Sequence, residues 1–125
     1  MPTLERAIEI AKQAHAGQVD KAGADYIEHP LRVMKNAEIG DEQIVGVLHD
    51  VVEDSEWTIE MLEAEGFSPE IIEALRCVTK LSDDEDYGHF IDRVLTNQLA
   101  MRVKLLDLED NMDLMRFAEC SRSNP

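Results

Sequence analysis

Cysteine is nearly absent: Cys77 and Cys120 are the only two in 125 residues, and they are too far apart to form a Cys-x-x-Cys pair. That spacing gives no support to a thiolate zinc site or a disulfide framework, and leaves both as reduced core or near-surface thiols. Aromatic residues are also few, at 5% of the chain, and nothing forms the stacking platform used by single-strand nucleic-acid binders. Positive charge is outnumbered, 12 Lys and Arg against 27 Asp and Glu, giving a formal net charge of -15. Such a surface repels polyanions at long range, so duplex DNA, RNA and anionic membrane are excluded as partners. A phosphate-bearing small molecule would have to be held by local cations. No apolar run approaches the roughly 18 to 20 residues that cross a bilayer. The start, Met1-Pro2-Thr3-Leu4-Glu5-Arg6, lacks a signal peptide's apolar stretch, so a cytoplasmic location is expected.

The hydrophobic content, 44% of 125 residues, suits one compact core. A single domain over residues 1 to 125 is expected, with residues 120 to 125 fraying. Helical periodicity dominates. Thr3 caps a helix carrying Leu4, Ala7, Ile8, Ala11 and Ala14, which Gly17 ends. Pro30 suits the first turn of a second helix with Leu31, Val33, Met34 and Ala37. Gly40 ends that helix, and Asp41 caps a third from Glu42 to about Val52. Thr58 and Ser68-Pro69 start two more, the polar stretch Ser82 to Asp86 forms a loop, and helices follow around Phe90 and from about Leu99 to Phe117. No alternating β-branched run of strand length stands out, so the fold class is all-α.

The chemistry sits where ionisable residues interrupt apolar helices. In Val47-Leu48-His49-Asp50-Val51-Val52-Glu53-Asp54 the apolar frame must be buried, and buried charges cost several kcal/mol unless paired or metal-bound. On a helix, Glu53 lies four residues from His49 and three from Asp50, and Asp54 four from Asp50, so the four side chains share one flank. Asp107 interrupts Val103-Lys104-Leu105-Leu106 in the same way, with Asn111 one turn later. The two helices can meet across a polar pocket, and His29, fixed before Pro30, can project into it. Each feature alone has a plainer reading. A His-Asp dipeptide is more often a hydrogen-bonded pair, Asp107 an exposed helix residue, and Glu53-Asp54 the solvated end of a helix. Their joint arrangement is what points to chemistry. His15 reads as a structural hydrogen-bonding residue, His89 as surface or loop packing, and the acidic runs as solvated faces.

Five segments in order, from Ala11 to Met112, carry a resemblance to a known family. They are Ala14-His15-Ala16-Gly17-Gln18, Tyr26-Ile27-Glu28-His29-Pro30, Leu48 to Asp54, Val78-Thr79-Lys80-Leu81, and Val103-Lys104-Leu105 with Asp107, Asn111 and Met112. With them the sequence resembles the RelA/SpoT-type HD-domain hydrolases, which remove the 3′-pyrophosphate from the alarmone ppGpp. The resemblance implies a compact HD-domain helical bundle and one divalent ion, usually manganese, on His29, His49, Asp50 and Asp107. It also implies Glu53 and Asp54 as the catalytic acidic pair, with Lys21, Tyr26 and Asn111 near the nucleotide. Two imidazoles and two carboxylates suit manganese, iron or zinc more than calcium. Only His15 and His89 remain as spare imidazoles, which favours a mononuclear site.

Two stretches depart from the family. Its typical Gln-x-Arg-Lys reads Gln18-Val19-Asp20-Lys21, so Asp20 stands where an arginine would stack on the base. Leu108-Glu109-Asp110 stands where the family commonly has Arg-Leu-His. Three readings therefore remain open. The first is a hydrolase of a phosphorylated nucleotide, with ppGpp the first candidate. The second is an HD hydrolase for a different nucleotide or dinucleotide phosphate, and the third a metal-binding or ligand-sensing module without turnover. No synthetase segment follows, so alarmone synthesis is not expected of this chain.

Overall fold

The computed structural model of the chain describes residues 3–20, 23–80, 82 and 84–123, with side chains described up to residue 112. Eight helices are found among the described residues: α1 (Leu4–Ala14), α2 (Glu28–Asn36), α3 (Gly40–Leu48), α4 (Val51–Asp54), α5 (Ile59–Ala64), α6 (Pro69–Val78), α7 (Tyr87–Leu95) and α8 (Gln98–Ser123). They include no named strand, and the one isolated bridge pairs Val19 with Asp25. The all-α expectation is met. No helix among the described residues is long and apolar enough to cross a membrane.

Several helix starts follow from local chemistry. Thr3 accepts from the Arg6 N–H, Thr58 from Met61 and Ser68 from Ile71, each satisfying a donor that the first turn leaves open. Asp86 does the same for His89, which brings His89 into α7 rather than a loop. The expected Asp41 cap is not formed. α3 begins at Gly40 behind Ile39, and Asp41 and Glu42 fall inside its first turn, where negative charge suits the helix dipole. α8 continues to Ser123, past the Phe117 that the periodicity suggests.

The third helix also stops earlier than expected. It ends at Leu48, His49 and Asp50 form a turn, and α4 restarts at Val51. The His49 ring explains the break, because its Nδ1–H donates to the Gly46 carbonyl at 2.6 Å. That carbonyl is the acceptor the Asp50 N–H would use if the helix ran on.

α3 lies at the centre of the core, with Ile44, Val45, Val47 and Leu48 buried around its circumference. Val33 of α2, Ile71, Ala74 and Leu75 of α6, Phe90 and Val94 of α7, and Ala100 and Val103 of α8 belong to the same cluster. Gly46 allows α2 to come close. A Cβ there would meet Val33 Cγ1 at 3.1 Å and the Met34 backbone nitrogen at 3.5 Å. Arg6 grips Glu65 through two hydrogen bonds, and Arg102 pairs with the buried Glu42 at 3.0 Å. Cys77 is a buried free thiol.

Candidate metal centre

Three helical segments converge on one point. α2 supplies His29 from its second position, the α3–α4 turn supplies His49 and Asp50, and α8 supplies Asp107. One ligand atom from each of the four lies within 4.8 Å of the other three. His29 Nε2 is 2.8 Å and His49 Nε2 3.2 Å from Asp107 Oδ1. Asp50 Oδ2 stands 3.1 Å from His49 Nε2 and 3.8 Å from His29 Nε2.

The second nitrogen of each ring tests whether this group suits a metal. The Gly46 carbonyl can only accept, so His49 carries a proton on Nδ1 and turns Nε2 inward. His29 Nδ1 is 2.5 Å from Asp110 Oδ2, and Asp110 is itself held by Arg32 at 2.7 and 3.0 Å. Metal-bound histidines commonly have their outer nitrogen committed in this way. The donor set, two imidazoles and two carboxylates without a thiolate, fits a divalent ion.

The carboxylates have their own supports. Tyr26 donates its phenol hydrogen to Asp50. Asp107 accepts from the Lys104 ammonium at 2.9 Å and from Asn111 Nδ2 at 3.3 Å. Tyr26 and Asn111, expected near a nucleotide, thus hydrogen-bond directly to two members of the ligand group. Lys21 lies outside the described residues.

A cavity of about 210 Å³ opens beside the cluster, lined in part by His49, Asp50, Glu53 and Asp107. Its other wall carries Lys80, Tyr87, Phe90 and Lys104, none of which stood out as single residues in the sequence. Both ammonium groups lie over the Phe90 ring, at 5.9 and 5.4 Å from its centroid. Lys104 lies three residues before Asp107, one helical turn away on the same face, a spacing that could have drawn attention to it. Glu53 Oε1 accepts the Lys80 N–H at 3.3 Å. Asp54 is not among the residues lining this cavity, and its carbonyl accepts from Gln18 at 2.7 Å. Gln18 is in turn paired with the buried His15 at 2.9 Å, the structural role expected of that histidine.

Asp20 folds back on its own loop. Its Oδ1 accepts the Ala24 N–H at 3.0 Å, closing an Asx-type turn. Asp110 has a countercharge of its own, the Arg32 guanidinium at 2.7 Å.

Without a metal, both imidazoles hold protons more tightly than the ordinary value of 6.5. Burial opposes their charge, but Asp107 and Asp110 outweigh it at His29, as Asp50 and Asp107 do at His49. Burial likewise opposes ionisation of Asp50, yet the neighbouring His49 holds its pKa down at about 2. A raised histidine pKa stabilises the fold fully below 6.5, and that contribution is lost as pH rises through the folded value. Metal-free protein should therefore lose thermal stability as pH rises above 6.5, while a divalent ion restores more at the alkaline end because it no longer displaces protons. Melting curves in chelator and in excess manganese across that range measure this. A manganese-induced gain that shrank with rising pH would contradict it.

No protein-family model matches the chain. A probable GTP pyrophosphokinase of Mycobacterium leprae (strain TN) is 34% identical over 126 residues, covering 91% of this chain and 16% of the relative. A guanosine-3′,5′-bis(diphosphate) 3′-pyrophosphohydrolase of Aquifex aeolicus (strain VF5) is 35% identical over 118 residues, covering 88% of this chain and 17% of the relative. The chain thus spans about a sixth of the length of these curated relatives. Among solved structures, a metazoan ortholog of SpoT described as hydrolysing ppGpp matches with a TM-score of 0.79 and 24% identity. That match covers 94% of this chain and 73% of the other, and it shows a shared fold. By sequence along most of its length and by helical architecture, this chain belongs to the RelA/SpoT-type HD-domain family.

Proposed function

We propose that the chain is a single-domain, metal-dependent phosphohydrolase acting in the cytoplasm on a small phosphorylated nucleotide, with the 3′-pyrophosphate of ppGpp as the first candidate. His29, His49, Asp50 and Asp107 would hold one divalent ion, manganese first, with iron(II) and zinc as alternatives. The observation that carries this reading is the convergence of four ligand atoms within 4.8 Å while both histidines use Nδ1 elsewhere. The curated relatives named as ppGpp 3′-pyrophosphohydrolases support the substrate class.

When bound, the ion would polarise a phosphoryl oxygen and acidify water. The remaining work falls to the chain's own groups. Glu53, on the cavity wall, takes the proton of the attacking water, with Asp54 as its acidic partner. The ammonium groups of Lys80 and Lys104 neutralise phosphate oxygens in the same cavity. Tyr26 and Asn111 hold Asp50 and Asp107 by hydrogen bonds, and they are assigned, with Lys21, to binding the nucleotide. A cavity of about 210 Å³ accommodates the reacting end of a nucleotide rather than all of it.

The test is phosphate and pyrophosphate release from a nucleotide panel with manganese supplied. Release of pyrophosphate from ppGpp supports the reading. Release from no compound would favour a metal- or ligand-binding module instead.

A second reading, an HD hydrolase for a different nucleotide or dinucleotide phosphate, is favoured by Asp20. Asp20→Asn keeps the oxygen that accepts from Ala24 and removes the negative charge. On an anionic nucleotide this should lower KM by roughly two- to fivefold, about 0.5 to 1 kcal/mol, with kcat unchanged. The gain should fade as salt rises, since screening acts over about 8 Å at physiological ionic strength. Equal KM values at both salt levels would remove Asp20 from substrate discrimination.

A further inference from the structure

His29 faces two carboxylates with one ring. Asp107 Oδ1 lies 2.8 Å from Nε2, and Asp110 Oδ2 lies 2.5 Å from Nδ1. A neutral imidazole has a single N–H, so the two compete for it. If Asp107 takes it, the Nε2 lone pair is lost to a metal; if Asp110 takes it, Nε2 is free. The geometry favours Asp110, whose contact is the shorter and whose two oxygens are fixed by the Arg32 guanidinium at 2.7 and 3.0 Å. Asp110 is buried at 7% exposure beside the 3% exposed His29, while the Arg32 that grips it reaches solvent, so the contact between Asp110 and His29 lies in the interior. His49 obtains the same result differently, from a backbone carbonyl that no neighbouring side chain can replace.

We propose that Asp110, held by Arg32, is a positioning residue that fixes the His29 proton on Nδ1 and so keeps Nε2 available to a metal ion, a role that rests on the metal-dependent reading above. Asp110 touches neither the proposed substrate cavity nor the inner ligand atoms, and it acts through His29 alone.

Two measurements on purified full-length protein test it. The first is calorimetric titration of metal-free protein with Mn²⁺. Asp110→Ala should weaken binding about 10- to 100-fold, the range for losing a partner of a metal-bound histidine. Asp110→Asn keeps an acceptor oxygen and should recover part of that loss, and Arg32→Ala should fall between wild type and Asp110→Ala. The second is long-range ¹H–¹⁵N spectroscopy of His29 in metal-free protein, above the pH at which the ring is neutral. Wild type should show the proton on Nδ1, and Asp110→Ala should move it toward Nε2. A residue that merely ties α8 to α2 would lower thermal stability without moving the proton. Binding of Mn²⁺ by Asp110→Ala within twofold of wild type, or a proton that stays on Nδ1, would overturn the proposal. If Asp110→Ala fails to fold, Asp110→Asn decides, since it must then show the weaker binding. Wild type that binds Mn²⁺ but hydrolyses nothing would count against the hydrolase reading alone; wild type that binds none would overturn both.

Discussion

His49→Ala and Asp107→Ala are each expected to lose bound metal and hydrolysis together. Asp107 Oδ1 stands within 3.3 Å of His29 Nε2, His49 Nε2 and Asn111 Nδ2, so its removal takes away the atom around which the site is gathered. His49 is 4% exposed and cannot be replaced by a neighbouring ligand without moving α3. Losing an outer partner of a metal-bound histidine costs about 10- to 100-fold in affinity. Losing a ligand should exceed that, and turnover should fall to background. Elemental analysis after manganese loading and gel filtration, beside a turnover assay, measures both. Asp107→Asn, nearly isosteric, guards against an unfolded variant. Full metal occupancy in folded variants at both positions would refute the ligand assignment.

Glu53→Gln should separate turnover from binding. Its carboxylate is the acidic side chain beyond the ligand group that lines the cavity, and the amide oxygen of Gln can still accept from Lys80. Burial and the charge of Asp50 raise the Glu53 pKa, which brings a proton acceptor closer to working pH. The variant should keep its metal and its melting temperature while kcat drops by about 10² to 10⁴. Asp54→Asn should cost less, because Asp54 does not line this cavity. Steady-state kinetics with a metal assay on the same samples decides. An unchanged kcat in Glu53→Gln takes Glu53 out of the reaction.

What could be read in advance was whatever depends on near neighbours in the chain. Thr3, Thr58 and Ser68 cap their helices because an N-cap needs only its own next three residues. His49, Asp50 and Asp107 stood out because charge inside an apolar helix is costly at any tertiary position. The break at Leu48 was hidden, since it depends on which way an imidazole turns toward a carbonyl three residues back. Arg32 and Asp110 meet across 78 positions, and no local pattern announces such a pair. The two lysines of the cavity wall belonged to recognised segments, but their shared position over Phe90 needs α6, α7 and α8 to be packed. The Asx-type turn that Asp20 closes on Ala24 could not be read from its charge, since it depends on how the loop folds back over four residues.

Gly46 joins two demands that protein engineering usually treats separately. Replacing a helical glycine by alanine gains about 1 kcal/mol of helix propensity, and a stability screen would nominate this position early. Here the added methyl would press on the Val33 side chain at 3.1 Å and touch the Met34 backbone at 3.5 Å, both on α2, the helix that carries His29. The same residue lends its carbonyl to His49. A missing carbon in the core therefore works as a gauge block between the two imidazoles, whose rings stand 5.3 Å apart. Metal–ligand distances hold to within about 0.2 Å, so any part of the strain that Val33 passes on to α2 bears directly on His29. Thermal stability and ligand aim are tuned by one position, and a change that raises the first can spoil the second with no chemical group altered.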